Sequence, residues 1–143
     1  MRKTRNGRLA MAIRIEVSVG EFLDKLTILE IKSERIRDPR KLKNVNKELG
    51  RLREAWKASP LSRKDVSSRL KDLKAVNETL WDIEDQIRRK EVEQLFDDEF
   101  IRLARSVYQA NDRRAAIKRE LNTFLGSELV EEKSYPDYDP PAT

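Results

Sequence analysis

The chain has 143 residues, of which 38% are hydrophobic and 40% are charged, and its formal net charge is +5 at pH 7. It contains no cysteine and no histidine, which excludes disulfides, thiolate metal sites, a Ser-His triad and a histidine-based zinc site. No apolar run approaches the roughly 20 residues of a membrane span and no secretory signal is evident, so the sequence predicts a single-domain cytoplasmic protein.

The two ends of the chain carry opposite charges. Residues 1–17 contain five basic side chains and one acidic one, whereas residues 127–143 contain one basic and five acidic. The simpler interpretation is two solvated tails; the alternative is that they lie against each other or against a second subunit. No aromatic residues alternate with the basic ones for base stacking, so nucleic acid is not an expected partner.

The first helix has a well-marked start. Residues 13–17 alternate apolar and polar side chains, which predicts a short strand-like arm before it. Ser18 and Glu21 then form the sequence pattern of a capping box. Helix 1 is predicted from Ser18 to about Arg37, and its broad apolar surface predicts neighbours on more than one side.

Asp38 and two prolines mark the ends of predicted helix 2. Asp38 is suited to the N-cap and Pro39 to the first helical position, and Pro60 ends the segment. Gly50 lies inside this helix, at a cost of about 1 kcal/mol relative to alanine. We expect it to allow another helix to approach closely.

Two longer helices follow. Helix 3 is predicted from Ser62 to about Gln94, and helix 4 from its N-cap Asp97 to Gly126, a residue type suited to the left-handed position that ends a helix. The resulting domain plan is a basic flexible leader over residues 1–12, one helical domain over residues 13–135, and a proline-rich disordered tail over residues 136–143.

An extended arm is predicted after the last helix. We expect it to be ordered through Tyr135 and to dock on the bundle through its apolar side chains. The side chains expected to dock are Leu129, Val130 and Tyr135.

One face of each long helix carries polar residues where apolar ones are expected. The stripe on each face steps strictly by four and three residues, the spacing of a buried helix face. A charge on a packed seam is costly unless it is paired or ligated. The polar or charged positions are Asn77, Glu84, Glu91, Asn111, Arg114 and Lys118.

Short links between helices predict antiparallel neighbours. If helices 3 and 4 fold back around residues 95–97, Asn77 faces Arg114, and Glu84 finds its partner in Arg88, four residues on. Three interpretations remain open for the polar positions: ion pairs that fix the helix register, exposure at the outer ends of the helices, or a ligand-binding cleft.

The functional interpretation is a cleft for a small anionic ligand. Arg and Lys side chains suit carboxylate or phosphate groups. No catalytic residue, metal ligand or cofactor is predicted: the acidic run over residues 91–99 suits magnesium, but acids are favoured at helix ends in any case. The candidate ligand-binding residues are Lys25, Lys32, Glu84, Arg88, Arg105, Tyr108, Asn111, Arg114 and Lys118.

Three segments resemble an uncharacterised bacterial all-helical family with a domain of unknown function. They are Ser18–Ile36, Phe100–Asn122 and Gly126–Tyr135, and the resemblance extends across residues 13–138. The resemblance implies no established activity; members are sometimes encoded near polysaccharide glycosyltransferases. A looser likeness, to the all-helical chorismate mutases, rests on Asp24, Ile28, Leu29 and Arg35 and implies a dianion held between helices.

The sequence therefore predicts an all-α, antiparallel four-helix bundle of two helical hairpins, of which the second is longer. An antiparallel homodimer is the expected state, because helix 3 is longer than helix 2 can cover. The leading hypothesis for function is a non-catalytic binding or adaptor protein with a protein partner. The alternative is a small-molecule anion-binding protein or enzyme.

Overall fold

A computed structural model describes residues 11–138, and this part of the chain contains four α-helices and no β-strand. A short 3-10 helix, Pro60–Arg63, joins the second helix to the third. The predicted leader therefore lies outside the described residues up to residue 10, as does the predicted tail from residue 139. The helices are α1 (Val19–Arg35), α2 (Pro39–Ala58), α3 (Ser67–Glu93) and α4 (Asp98–Leu125).

Helix α1 is the central element of the bundle. It contacts all three other helices, whereas α2 packs mainly on α1, and α3 and α4 form a long hairpin. This arrangement confirms the predicted all-helical fold and the neighbours expected on several sides of the first helix. None of the helices in the described residues combines the length and hydropathy needed to cross a bilayer. The core contains Leu23, Leu26, Leu29, Leu49, Leu73, Val76, Leu80, Ala110, Leu121 and Leu125.

The predicted helix ends are largely confirmed. Side-chain oxygens of Ser18, Asp38 and Asp97 accept backbone N–H groups in the first turns of α1, α2 and α4. Gly126 follows α4 with a φ of 64°, the left-handed conformation that glycine adopts without steric cost. These caps satisfy backbone groups that a helix cannot satisfy within itself.

The predicted start of helix 3 at Ser62 is wrong. That residue belongs to the 3-10 helix, and α3 begins at Ser67. The cause is local hydrogen bonding by Asp65, whose Oδ1 accepts from the backbone N of Ser67 at 3.0 Å and from its Oγ at 2.6 Å. Asp side chains favour such turns ahead of a helix.

The predicted strand-like N-terminal arm does not form a strand. Residues 11–18 have no regular secondary structure, and Ile13 and Ile15 are 93% and 76% exposed. Alternation of side chains is not sufficient, because a strand also needs a neighbour to satisfy its backbone groups.

The C-terminal arm is held on α4 by ion pairs and by one aromatic contact at its end. The apolar residues predicted to dock are substantially exposed, Leu129 by 42%, Val130 by 49% and Tyr135 by 74%. The acidic side chains of the arm meet basic residues of α4 instead, so the expectation of hydrophobic docking is wrong. Ion pairs of Glu131 and Glu132 and the ring of Tyr138 hold this segment on α4.

Candidate functional site

Helix α1 places a carboxylate at the centre of the molecule. Asp24 is 1% exposed, and its Oδ1 accepts hydrogen bonds from Nδ2 of Asn77 and from Nε of Arg114, both at 2.9 Å. Its Oδ2 accepts from Nη2 of Arg114. The buried charge is therefore paired in a two-pronged arrangement, the geometry that favours arginine over lysine.

The surrounding groups fix this ion pair. Nδ2 of Asn77 also donates to Oγ1 of Thr27 at 3.0 Å, and Oγ1 of Thr27 donates to the backbone carbonyl of Asp24 at 2.8 Å. The hydrogen bonds to Asp24 raise the pKa of Arg114 despite its partial burial. Residues of α1, α3 and α4 are thus tied at one level of the bundle, in the manner by which a buried polar group fixes register.

A second cation lies one turn along α4. The side chain of Lys118 is 9% exposed, and its Nζ lies 2.6 Å from Oε2 of Glu21, 2.7 Å from Oε2 of Glu131 and 4.0 Å from Oδ2 of Asp24. Burial lowers the pKa of Lys118, but hydrogen bonds to Glu131 and Glu21 outweigh that effect and raise it. Three carboxylates thus compensate one desolvated ammonium group.

The C-terminal arm contributes to this cluster from outside the bundle. Glu131 and Glu132 bind Lys118 and Arg119 of α4, the second pair at 3.1 Å. Further along, the ring of Tyr138 packs edge-on against the ring of Tyr108 of α4, with centroids 4.8 Å apart. The arm therefore runs back along α4 and completes the surroundings of Lys118.

Close approach of α1 and α4 depends on Gly20. Its backbone N donates to Oδ1 of Asn122 at 2.6 Å, and a Cβ atom there would lie 2.5 Å from the backbone carbonyl oxygen of Lys118. The prediction that Gly50 serves this purpose is wrong, since a Cβ at Gly50 would meet nothing within 4 Å.

A groove lies beside the Asp24–Arg114 pair, between α1, α3 and α4. Its volume is about 410 Å³ and it is open to solvent. Its apolar lining consists of Ile28, Ile31, Leu80 and Trp81. Its polar lining consists of Asn77, Glu84, Asp85, Asn111 and Arg114.

The structure divides the predicted ligand-binding residues into groups. Glu84, Asn111 and Arg114 line the groove, and Lys118 lies in the neighbouring cluster. Arg88 pairs with Glu84 at 3.4 Å on the exposed surface, which confirms the predicted pairing. Nε of Arg88 therefore contacts Glu84 at the rim of the groove.

The remaining candidates lie elsewhere. Lys25 forms an ion pair of 2.8 Å with Glu48 of α2, and neither Lys25 nor Lys32 lines the groove. Nε of Arg105 lies 3.4 Å from the hydroxyl of Tyr108, further along α4. The predicted residues are thus not all brought together, and their role as one ligand site stays a prediction.

The acidic run before α4 has structural partners. Oδ1 of Asp97 accepts from the backbone N of Phe100 at 3.0 Å, and both its carboxylate oxygens accept from Nζ of Lys90, at 3.0 and 2.8 Å. Across residues 11–138, no group of three or more acidic side chains is arranged to hold a metal ion.

We expect acidic pH to weaken the attachment of the C-terminal arm to α4. Hydrogen bonding from Lys118 lowers the pKa of Glu131 below its ordinary value of 4.5. A carboxyl with a lowered folded-state pKa contributes stability above its unfolded-state pKa, and this contribution is lost as the pH falls through the folded-state value.

Glu131→Gln should therefore lower the free energy of unfolding by about 1 kcal/mol at neutral pH. The difference from wild type should shrink as the pH falls below 4.5 and vanish once Glu131 is protonated in the folded protein as well. Chemical denaturation at several pH values measures the loss of stability and its dependence on pH. Glu128→Gln, an exposed residue of the same arm, is the control and should change little at any pH. A difference that persists unchanged in acid would contradict the assignment.

Comparison with known proteins gives one match. The family described as "Family of unknown function (DUF6165)" matches residues 13–141. No curated protein and no solved structure matches the chain.

Proposed function

We propose that this chain, which belongs to DUF6165, a family of unknown function, is a non-catalytic adaptor protein that binds a basic segment of a protein partner. The binding site is the groove between α1, α3 and α4. Its occupant is an amphipathic helix with apolar side chains on one face and lysine or arginine beside them, a recurring mode of peptide recognition.

The distribution of charge around the groove carries this proposal. Arg114 lines the groove and Lys118 lies one turn further along α4, and both are already bound to carboxylates of Asp24, Glu21 and Glu131. An anionic ligand would have to compete for Arg114 with the buried carboxylate of Asp24, and breaking such a buried pair is costly. An anion is therefore the less favoured ligand.

The rim of the groove offers acceptors for a cation. Glu84 and Asp85 are both exposed and both line the groove. The pair between Glu84 and Arg88 is an exposed one between residues four apart, so it stabilises the helix by only about 0.3–0.5 kcal/mol and can be exchanged. A lysine or arginine of a partner would meet these carboxylates while its apolar neighbours cover Trp81 and Leu80.

The groove's shape supports a peptide ligand. At about 410 Å³ its volume is within the range of roughly 300–1,000 Å³ that is typical of ligand sites, and it is open to solvent. An open groove with an apolar lining suits the side of a helix, whose anchors at every third or fourth position enter it together.

A fluorescence titration tests the proposal. The chain has two tryptophans, so Trp56→Phe leaves Trp81 as the single reporter in the groove. We expect a saturable change in Trp81 emission with a helical peptide of leucine and lysine, and none with its leucine–glutamate counterpart. Because the chain has a net charge of +5, non-specific attraction would favour the acidic peptide instead.

Carboxylate variants locate the binding site. Combining Glu84→Gln with Asp85→Asn should weaken binding of the leucine–lysine peptide about tenfold, equivalent to about 1.4 kcal/mol. Glu54→Gln, an exposed residue of α2, is the matched control and should leave the affinity unchanged. No binding of the basic peptide, or equal binding of both peptides, would overturn the proposed function.

A further inference from the structure

Apolar side chains are exposed at the turn between α3 and α4, which we call the hairpin tip and define as residues 88–105. Val92 is 84% exposed, Leu95 47%, Phe96 53% and Ile101 54%. Isolated exposed apolar residues are ordinary, but several within one short segment mark an interaction surface.

Several contacts give this tip a defined structure. Nζ of Lys90, whose side chain is 16% exposed, lies 2.8 Å from Asp97 across the turn. Gln94 adopts the left-handed conformation with a φ of 57°, and the rings of Phe96 and Phe100 meet edge-on with centroids 5.2 Å apart. The apolar groups are thus presented by an ordered turn with satisfied caps, which reduces the entropy lost when a partner binds.

The charges at the tip indicate what kind of partner fits. Residues 88–105 contain five basic and five acidic side chains, whereas the whole chain has a net charge of +5. A strongly charged partner, such as a nucleic acid, finds no complementary field in such a segment. A surface that carries both signs in equal number can pair with itself, as a twofold interface requires.

We propose that a second copy of this chain docks at the hairpin tip, with the apolar side chains of the two tips packed together and their charged flanks paired. The resulting homodimer is isologous, since both copies contribute the same surface. This inference goes beyond the proposed function, because residues 88–105 do not line the groove.

Sedimentation equilibrium of the full chain tests this proposal. We expect wild type to be a dimer at micromolar concentration, and Ile101→Glu and Phe96→Glu each to weaken dimerisation at least tenfold. Both residues are more than half exposed, so the variant monomers should fold, which circular dichroism checks. Ile15→Glu, at an isoleucine that is 76% exposed outside the helices, is the matched control and should remain dimeric.

Three outcomes would overturn the proposal. The first is a monomeric wild type throughout the concentration range, and the second is dimerisation that both tip variants retain. The third is a wild-type monomer that co-sediments with phosphatidylcholine vesicles while Ile101→Glu does not, which would place a lipid surface at the tip instead.

Discussion

Arg114→Met is expected to lower the free energy of unfolding by about 3 kcal/mol, because it leaves the carboxylate of Asp24 buried without its principal cation. Asp24 is 1% exposed, and both its oxygens accept from Arg114. Asn77 remains as a donor and Lys118 lies 4.0 Å away, which keeps the loss near the lower end of the range for broken buried pairs. Urea denaturation measures the change.

The control for this variant is its neighbour in sequence. Arg113→Met removes the same side chain from an exposed position of α4 and should change the free energy of unfolding by less than about 0.5 kcal/mol. In the double variant Asp24→Leu/Arg114→Met, apolar groups replace both charges, and about half of the lost stability should return. Equal effects of Arg113→Met and Arg114→Met would show that the buried pair of Asp24 and Arg114 does not stabilise the fold.

Gly20→Ala is expected to destabilise the protein by about 2 kcal/mol, although alanine is normally the better helix former. The added Cβ would lie 2.5 Å from the backbone carbonyl oxygen of Lys118 and 3.0 Å from Oδ1 of Asn122. A backbone oxygen cannot rotate away, so α1 and α4 must separate. That separation lengthens the hydrogen bond from Gly20 to Asn122, now 2.6 Å.

Gly50→Ala is the matched comparison, and we expect it to stabilise the protein. A Cβ at this position of α2 meets nothing within 4 Å, so only the gain in helix propensity remains, about 1 kcal/mol. Thermal and chemical denaturation of both variants test the pair of expectations together. Stabilisation of both proteins would show that α1 and α4 are not in close contact at Gly20.

Much of the fold could be predicted from local signals. The caps at Ser18, Asp38 and Asp97 and the glycine at the end of α4 each depend on a few neighbouring residues, and the structure confirms them. The start of α3 at Ser67 was missed because Asp65, three residues after Ser62, suits the first turn of a helix, whereas its carboxylate instead accepts hydrogen bonds from Ser67. Periodicity indicates the face of a helix better than its first residue.

The polar positions of the seam could be predicted, but not which structural explanation applied to each. Asn77 and Lys118 are buried and paired beneath α1, whereas Glu84 and Glu91 are exposed. The difference depends on how far α1 extends over the longer hairpin, a tertiary property that helix phase alone does not give.

The centre of the site was missed because its carboxylate lies on another helix. Asp24 belongs to a stripe with Gly20, Thr27 and Ile31, each of which is buried. That stripe steps by four, three and four residues, and comparing it with the polar seam could have suggested the pairing. The sequence did not indicate the contact made by Glu131, because an extended arm has no helical period that shows which of its side chains point toward the bundle.

Arg114 and Lys118 are bound to carboxylates within the bundle, and we propose that this leaves the groove to a basic partner segment. A crystal structure of the chain grown in citrate or phosphate tests this proposal. We predict Arg114 bound to Asp24, Lys118 bound to Glu21 and Glu131, and no ordered anion in the groove. An anion bound by Arg114 and Lys118 in place of these carboxylates would overturn the proposal and identify an anion-binding site.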